Sequence, residues 1–149
     1  TYGPRQSTRA VLPTILTQLM AGRKEVKLGD LAPKRDLTYV LDTVEGFVKA
    51  GEVEDVEGQV IQMGTNEAFS IGDLFDAACR ALGVDARVVQ EQKRFRPKGG
   101  EVMVLQSDYS KAKELLGWQP ETSLEHGLKK TAEWLKGRVS SYDVDRYHR

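Results

Sequence analysis

Cysteine is almost missing: Cys79 is the only one in 149 residues. One thiol excludes an internal disulfide, and such sparing usage suits a reducing, cytoplasmic setting. Neither sign of charge is in excess, since 22 Lys and Arg balance 22 Asp and Glu. A dedicated nucleic-acid binder carries a basic surplus, so no nucleic-acid partner is expected. No apolar run approaches the roughly 20 residues of a membrane helix. The N-terminus shows no basic-then-apolar leader, and no membrane partner is expected. Histidine is scarce: His126 and His148 lie far apart. Neither has a cysteine or acidic neighbour at ligand spacing, so no metal site is expected. Also missing are a Gly-x-Ser-x-Gly elbow, a P-loop and a Gly-x-Gly-x-x-Gly turn. There is no internal repeat and no low-complexity tract.

What is present suits one soluble domain with a sizeable core. "TYGPRQS" at residues 1–7 is turn chemistry, because Gly tolerates unusual φ and Pro fixes it. Such a turn normally joins two elements, so the chain reads as starting within a connection. "STRAVLPTILTQLMAG" then repeats apolar residues at helical spacing, with Pro13 tolerable in the first turn and Gly22 as C-terminal cap. "KEVKLGD" is extended, "LAPK" is a loop, and "RDLTYV" alternates as a strand. "DTVEGFVKAGE" is helical, with Asp42 and Glu45 in capping-box spacing. "QVIQMG" reads as a buried strand.

"SIGDLFDAACRALG" is an amphipathic helix begun by Ser70 and ended by Gly83. Cys79 on its inward edge is most simply a small packed side chain. "ARVVQEQ" is a further strand, "RFRPKGGE" a loop and "VMVLQ" extended. "DYSKAKELLG" is a helix between Asp108 and Gly117. "TSLEHGLKKTAEWLKG" is the last helix, with Thr122 and Glu125 at capping-box spacing. The polar tail over 137–149 is expected to fray. Helices alternate with strands throughout, which makes the class α/β.

Three stretches carry candidate chemistry. Arg35 stands at the mouth of a strand, where a guanidinium offers a planar fork to a phosphate; the plainer reading pairs it with Asp30 or Asp36. Arg94, Arg96 and Lys98 surround a Pro-Gly-Gly loop, as an anion clamp or as a solvated basic loop. Glu101, acceptor-only when ionised, suits either ribose hydroxyls or the role of counter-charge to that loop.

Taken in order, "TYGPRQS", "KLGD…KRDLTYVLDTVEGF", "VIQMGTNEAFSIGDLF", "RFRPKGGEV" and "SDYSKAKELLGWQPETSLEHGL" resemble the extended short-chain dehydrogenase/reductases. These are NAD(P)-dependent epimerases and dehydratases of nucleotide-activated sugars, and the run looks most like the 4,6-dehydratase branch. The likeness covers about residues 1–136. It implies a C-terminal, substrate-binding portion of an extended Rossmann-type enzyme roughly twice as long, entered where a turn leaves the sixth strand of the nucleotide-binding sheet. The glycine-rich turn and the catalytic residues belong to the N-terminal half, so NAD or NADP is implied for the full-length enzyme. No cofactor and no catalytic residue are expected in this chain, which alone would be inactive. Tyr109 and Lys113 do reproduce the Tyr-x-x-x-Lys spacing of the family's catalytic pair. Outside its structural context the match is coincidence.

By the same resemblance the partner is a nucleotide-diphosphate-sugar. Arg35 and Arg96 would bind the diphosphate, and Glu101 would face the ribose, although the spacer in "RPKGGE" is longer than the commoner Arg-Pro-Gly-Asp. Val26, Lys27 and Leu28 would line the base and ribose pocket. Asp108 and Trp118 look structural. A portion removed from its sheet would expose apolar surface, so association with itself or with the missing half is expected. A standalone nucleotide-diphosphate-binding module, or an interaction module without catalysis, is the alternative. The reading requires that folding bring Arg35 and Arg96 together.

Overall fold

The computed structural model describes residues 1–96 and 100–144. Lys98 and His148, singled out above, lie outside them. Helix α1 (Val11–Met20) leads to strands β1 (Glu25–Leu28) and β2 (Lys34–Asp36). Helix α2 (Val40–Glu52), strand β3 (Ala68–Ser70), helix α3 (Ile71–Leu82) and strand β4 (Arg87–Gln90) follow. Strand β5 (Val104–Leu105) precedes helices α4 (Ser110–Leu116) and α5 (Leu124–Leu135). The α/β class holds. β1 and β4 form a parallel pair with Val26 opposite Val88. β2 lies between β3, antiparallel to it, and β5, parallel to it.

Helices α1, α3 and α5 pack on one another and bury the main core, in which Ile15, Leu16, Val26, Leu74 and Leu128 are almost wholly shielded. Full burial of side chains this size is worth about 1.5–3 kcal/mol each. Trp118, with Ala112 and Leu116, makes a second, smaller core. Its indole Nε1 donates to the Asp42 carbonyl at 2.8 Å. Tyr109 packs edge-on against Trp118, with centroids 6.2 Å apart.

Local signals place the helix ends well. Ser70 and Asp73 form a reciprocal capping box on α3. Gly83 and Gly117 adopt the left-handed conformation past α3 and α4. Asp108 accepts from the Ser110 amide at 2.8 Å at the start of α4.

Several expectations are corrected. The "RDLTYV" strand stops at Asp36, and Val40 already opens α2, because the chain turns aside to pair Tyr39 with Tyr2. Asp42 does not cap α2. Its carboxylate instead accepts from the Thr122 amide at 3.0 Å and hydroxyl at 2.8 Å. Thr122 is therefore engaged, and Ser123 becomes the cap of α5. "QVIQMG" forms no strand among the described residues. Val60 within it is 78% exposed, and without an adjacent edge an extended segment has no ladder to join. After α5, the Arg138 guanidinium lies 5.0 Å from the Trp134 ring centroid and Tyr142 packs on the main core. The beginning of the tail is thus anchored, where fraying was expected.

Candidate functional site

A cavity of about 350 Å³ opens where five segments meet. The lead-in and first turns of α1 form one wall, with Thr8, Arg9, Val11 and Thr14. The end of β1 supplies Leu28, Gly29 and Asp30, and β2 supplies Arg35. Ile71 opens α3, and Arg94, Arg96 and Glu101 complete the lining. Four guanidiniums and two carboxylates therefore border one space.

Arg35 is fixed from several sides. Its strand register places it opposite Phe69 on β3 and Leu105 on β5. Nη1 donates to the Lys34 carbonyl at 2.7 Å and the Val102 carbonyl at 2.8 Å. Nη2 donates to Glu101 Oε1. Arg96 Nη1 reaches that same Oε1 at 3.4 Å, with its side chain 60% exposed. Folding thus brings Arg35 and Arg96 together on a single carboxylate oxygen. The partner of Arg35 is Glu101, sixty-six positions away, rather than Asp30 or Asp36.

Asp36 has other work. Its carboxylate accepts from the Thr65 amide at 2.8 and 3.0 Å and hydroxyl at 2.7 Å, and from the amides of Asn66 at 3.0 Å and Ser107 at 3.2 Å. These bonds tie the 64–67 turn and residue 107 to β2, beside Arg35. Asp30 turns its carboxylate back on the Ala32 amide at 3.0 Å.

Arg94 forms the floor, with its side chain 6% exposed and Nε 2.7 Å from Glu91 Oε2. This guanidinium, with Lys93 beside it, holds the Glu91 carboxyl below the usual carboxylate range. Gly29 permits the close approach of β1 to this turn, since a Cβ there would sit 2.6 Å from the Arg94 carbonyl oxygen.

The β1 segment divides. Leu28 lines the cavity. The Val26 side chain is buried in the main core. Lys27 directs its ammonium toward Glu91 at 3.7 Å, and both its backbone groups bond the Gln18 amide, at 2.9 and 3.3 Å. The side chains of Val26 and Lys27 therefore do not border the space, while Leu28, Arg35, Arg96 and Glu101 do. Sequence reasoning missed Arg9 and Gly29. A cation two residues before α1 and a glycine directly after β1 were the available signals, but only tertiary packing shows that both border one cavity.

Chemically the cavity is suited to holding an anion. Among the described residues His126 does not border it, and no group of three His, Cys, Asp or Glu is arranged for a metal. Also among the described residues, no helix is long and apolar enough to cross a membrane.

Known proteins match the chain along most of its length. The profile of the GDP-mannose 4,6 dehydratase family aligns with residues 1–131. A UDP-glucose 4-epimerase of Mycolicibacterium smegmatis is 33% identical over 140 residues, covering 92% of this chain and 43% of that protein. Crystal structures agree. The UDP-glucose 4-epimerase of Thermotoga maritima, with UDP-glucose, superposes with TM-score 0.79 at 33% identity, over 93% of this chain and 44% of that one. The UDP-glucuronic acid 4-epimerase of Bacillus cereus, with UDP-glucuronic acid and NAD, gives TM-score 0.80 at 30% identity, over 92% and 43%. The chain spans less than half the length of these relatives, and its α/β fold corresponds to a C-terminal portion of their Rossmann-type structures. Sequence and fold together place this chain in the GDP-mannose 4,6 dehydratase family of extended short-chain dehydrogenase/reductases.

Proposed function

We propose that this chain is the nucleotide-sugar-binding portion of an NAD(P)-dependent nucleotide-sugar epimerase or dehydratase, in the 4,6-dehydratase branch. The observation that carries the reading is the convergence of Arg35 and Arg96 on one oxygen of Glu101 at a cavity mouth. Two guanidiniums that share one carboxylate oxygen are spaced to share a diphosphate, whose oxygens accept charge-assisted bonds in the same geometry. Glu101 faces the ribose. Leu28 supplies the wall of the base and ribose pocket, and Val26 and Lys27 fix where β1 ends.

Hydride chemistry is not carried by these residues. The chain has no Gly-x-Gly-x-x-Gly turn on which a dinucleotide pyrophosphate sits, so its own residues do not fit NAD or NADP. In this reading the cofactor and the reacting groups belong to sequence beyond it, and the chain alone is inactive. Alone, it covers its exposed apolar face with a second copy. Leu41, Val44, Phe47 and Val48 on α2 make up much of that face.

Calorimetric titration of UDP, dTDP and GDP into the chain tests the reading. At least one is expected to bind, and Arg35→Ala and Arg96→Ala are each expected to weaken it by about 1.5–3 kcal/mol, the worth of a hydrogen bond to a charged group. Binding unaffected by either substitution, or no binding of any of the three, overturns it.

A further inference from the structure

We propose that two copies of this chain pair through the open edge of β4, antiparallel and about a two-fold axis, so that their small sheets join into one. The pairing involves none of the residues given to the nucleotide or to the α2 face, and it holds whichever nucleotide is bound.

Among the described residues β1 and β4 form a sheet of only two strands, and its two edges differ. On the β1 edge the Gln18 amide takes both backbone groups of Lys27. Its oxygen accepts from the Lys27 N–H at 2.9 Å, and its nitrogen donates to the Lys27 carbonyl at 3.3 Å. A side chain thus fills the place of a neighbouring strand. On the other side, the amides of Arg87 and Glu91 donate inward to the Lys24 and Leu28 carbonyls, at 2.9 and 2.8 Å. Glu91 keeps the extended backbone of β4, with φ −108° and ψ 121°. Backbone groups alternate along a strand, so Val88 and Gln90 direct theirs away from β1. Such an unpaired edge is a template for another strand.

The charges around β4 select its partner. From Asp85 through Arg87, Val89 and Glu91 to Lys93, alternate residues run negative, positive, neutral, negative, positive. Such a run is its own complement when reversed. With Val89 opposite the partner's Val89, Arg87 faces the partner's Glu91 and Asp85 faces the partner's Lys93. In this register Val88 and Gln90 exchange backbone hydrogen bonds with the partner's Gln90 and the partner's Val88. Val89 and the Arg87 pair fall at non-hydrogen-bonded positions, where side chains approach most closely. Arg87 and Lys93 have side chains 77% and 57% exposed, and each is already held on its own chain, by Glu25 and Glu91. Across the joined sheet Glu25, Arg87 and the partner's Glu91 therefore alternate in sign. Charges on an edge strand usually deter pairing. Here they oppose parallel pairing in register, which sets each charge against its like, and favour the antiparallel one. A self-complementary patch of this kind closes as a two-fold dimer.

The test is sedimentation of the 149-residue chain over a concentration series, with Phe47→Glu in every sample to set aside the α2 face. This parent is expected to move from monomer toward dimer as concentration rises. Asp85→Lys alone, or Lys93→Asp alone, sets like charges at both symmetric pairs and weakens the association by roughly tenfold. An equimolar mixture of the two variants regains it, because in the mixed dimer every opposed pair again has opposite signs. A second measurement does not depend on charge. Antiparallel pairing brings the two Val89 Cα atoms to about 4.5 Å, within disulfide reach. In a Cys79→Ser background, Val89→Cys is expected to cross-link two chains under oxidised glutathione, and Gln90→Cys, which faces the partner's Val88, far less. The proposal is overturned by a parent that stays monomeric, by single reversals that associate as the parent does, or by a mixture no more associated than either variant alone. Equal cross-linking at the two cysteine positions overturns it as well.

Discussion

Tyr2 shows how much a single side chain settles in this chain. Its ring is buried at the junction of the opening turn with α5, edge-on to Tyr39 with centroids 5.6 Å apart. Its hydroxyl donates to the Leu124 carbonyl at 3.2 Å. Burial, with the Asp42 carboxylate nearby, pushes the phenol far above its ordinary range, so it stays protonated and a donor. The ring fits because residue 127 is glycine: a Cβ there would lie 2.0 Å from the Tyr2 hydroxyl oxygen. Forcing a methyl into such a contact costs about 1–3 kcal/mol, while helix propensity offsets at most about 1 kcal/mol. Gly127→Ala is therefore expected to lower the melting temperature, and a variant melting above wild type would contradict this packing. None of this was legible beforehand. "TYGP" announces a turn through its own backbone preferences, but the notch that receives Tyr2 lies more than a hundred residues away. Asp42 and Thr122 mislead for a related reason. Each is a good cap residue by type, and each spends its polar groups on the other.

Elements that depend on near neighbours were legible; those that depend on distant partners were not. Helix α3 is of the first kind. Ser70, Asp73, the apolar face and Gly83 all act within one segment, and the helix forms where they say. Removing its cap by Ser70→Ala is expected to cost about 1 kcal/mol. The hydrogen bonds from the Ser70 hydroxyl and amide hold the Asp73 carboxyl below its usual 3.8. A carboxyl depressed in the folded state stabilises above its unfolded value and loses that contribution as pH falls through the folded one. The gap in melting temperature between wild type and Asp73→Asn should thus be present at neutral pH and close below pH 3.8. A gap that persists in acid would contradict the cap. The 59–64 segment is of the second kind, since its apolar pattern suits a strand but a strand exists only against an edge. Helix α2 is intermediate. Its period is helical, yet its outer side leaves Phe47 70% exposed.

Across the whole molecule, the site is a product of assembly. Arg9, Leu28, Arg35, Arg94, Arg96 and Glu101 come from four separate segments, and nothing in the local pattern of any one sets their spacing. The family resemblance supplied Arg35, Arg96, Glu101 and Leu28 but also Val26 and Lys27, whose side chains the packing turns elsewhere. The exposed face of α2 belongs to this scale as well. Sedimentation of the isolated chain should show average mass rising with concentration. Phe47→Glu should reduce that rise while leaving stability within about 0.5 kcal/mol, as for other exposed positions; unchanged self-association in the variant would remove α2 from the contact.

The central claim is that two arginines, distant in sequence, grip one diphosphate. Phosphorus NMR of the nucleoside diphosphate that binds best, titrated with the chain, tests it most directly. Both phosphorus resonances are expected to shift with wild type and to stay near their free positions with Arg35→Ala or Arg96→Ala. Shifts that survive both substitutions, or resonances that ignore saturating wild-type chain, would contradict it.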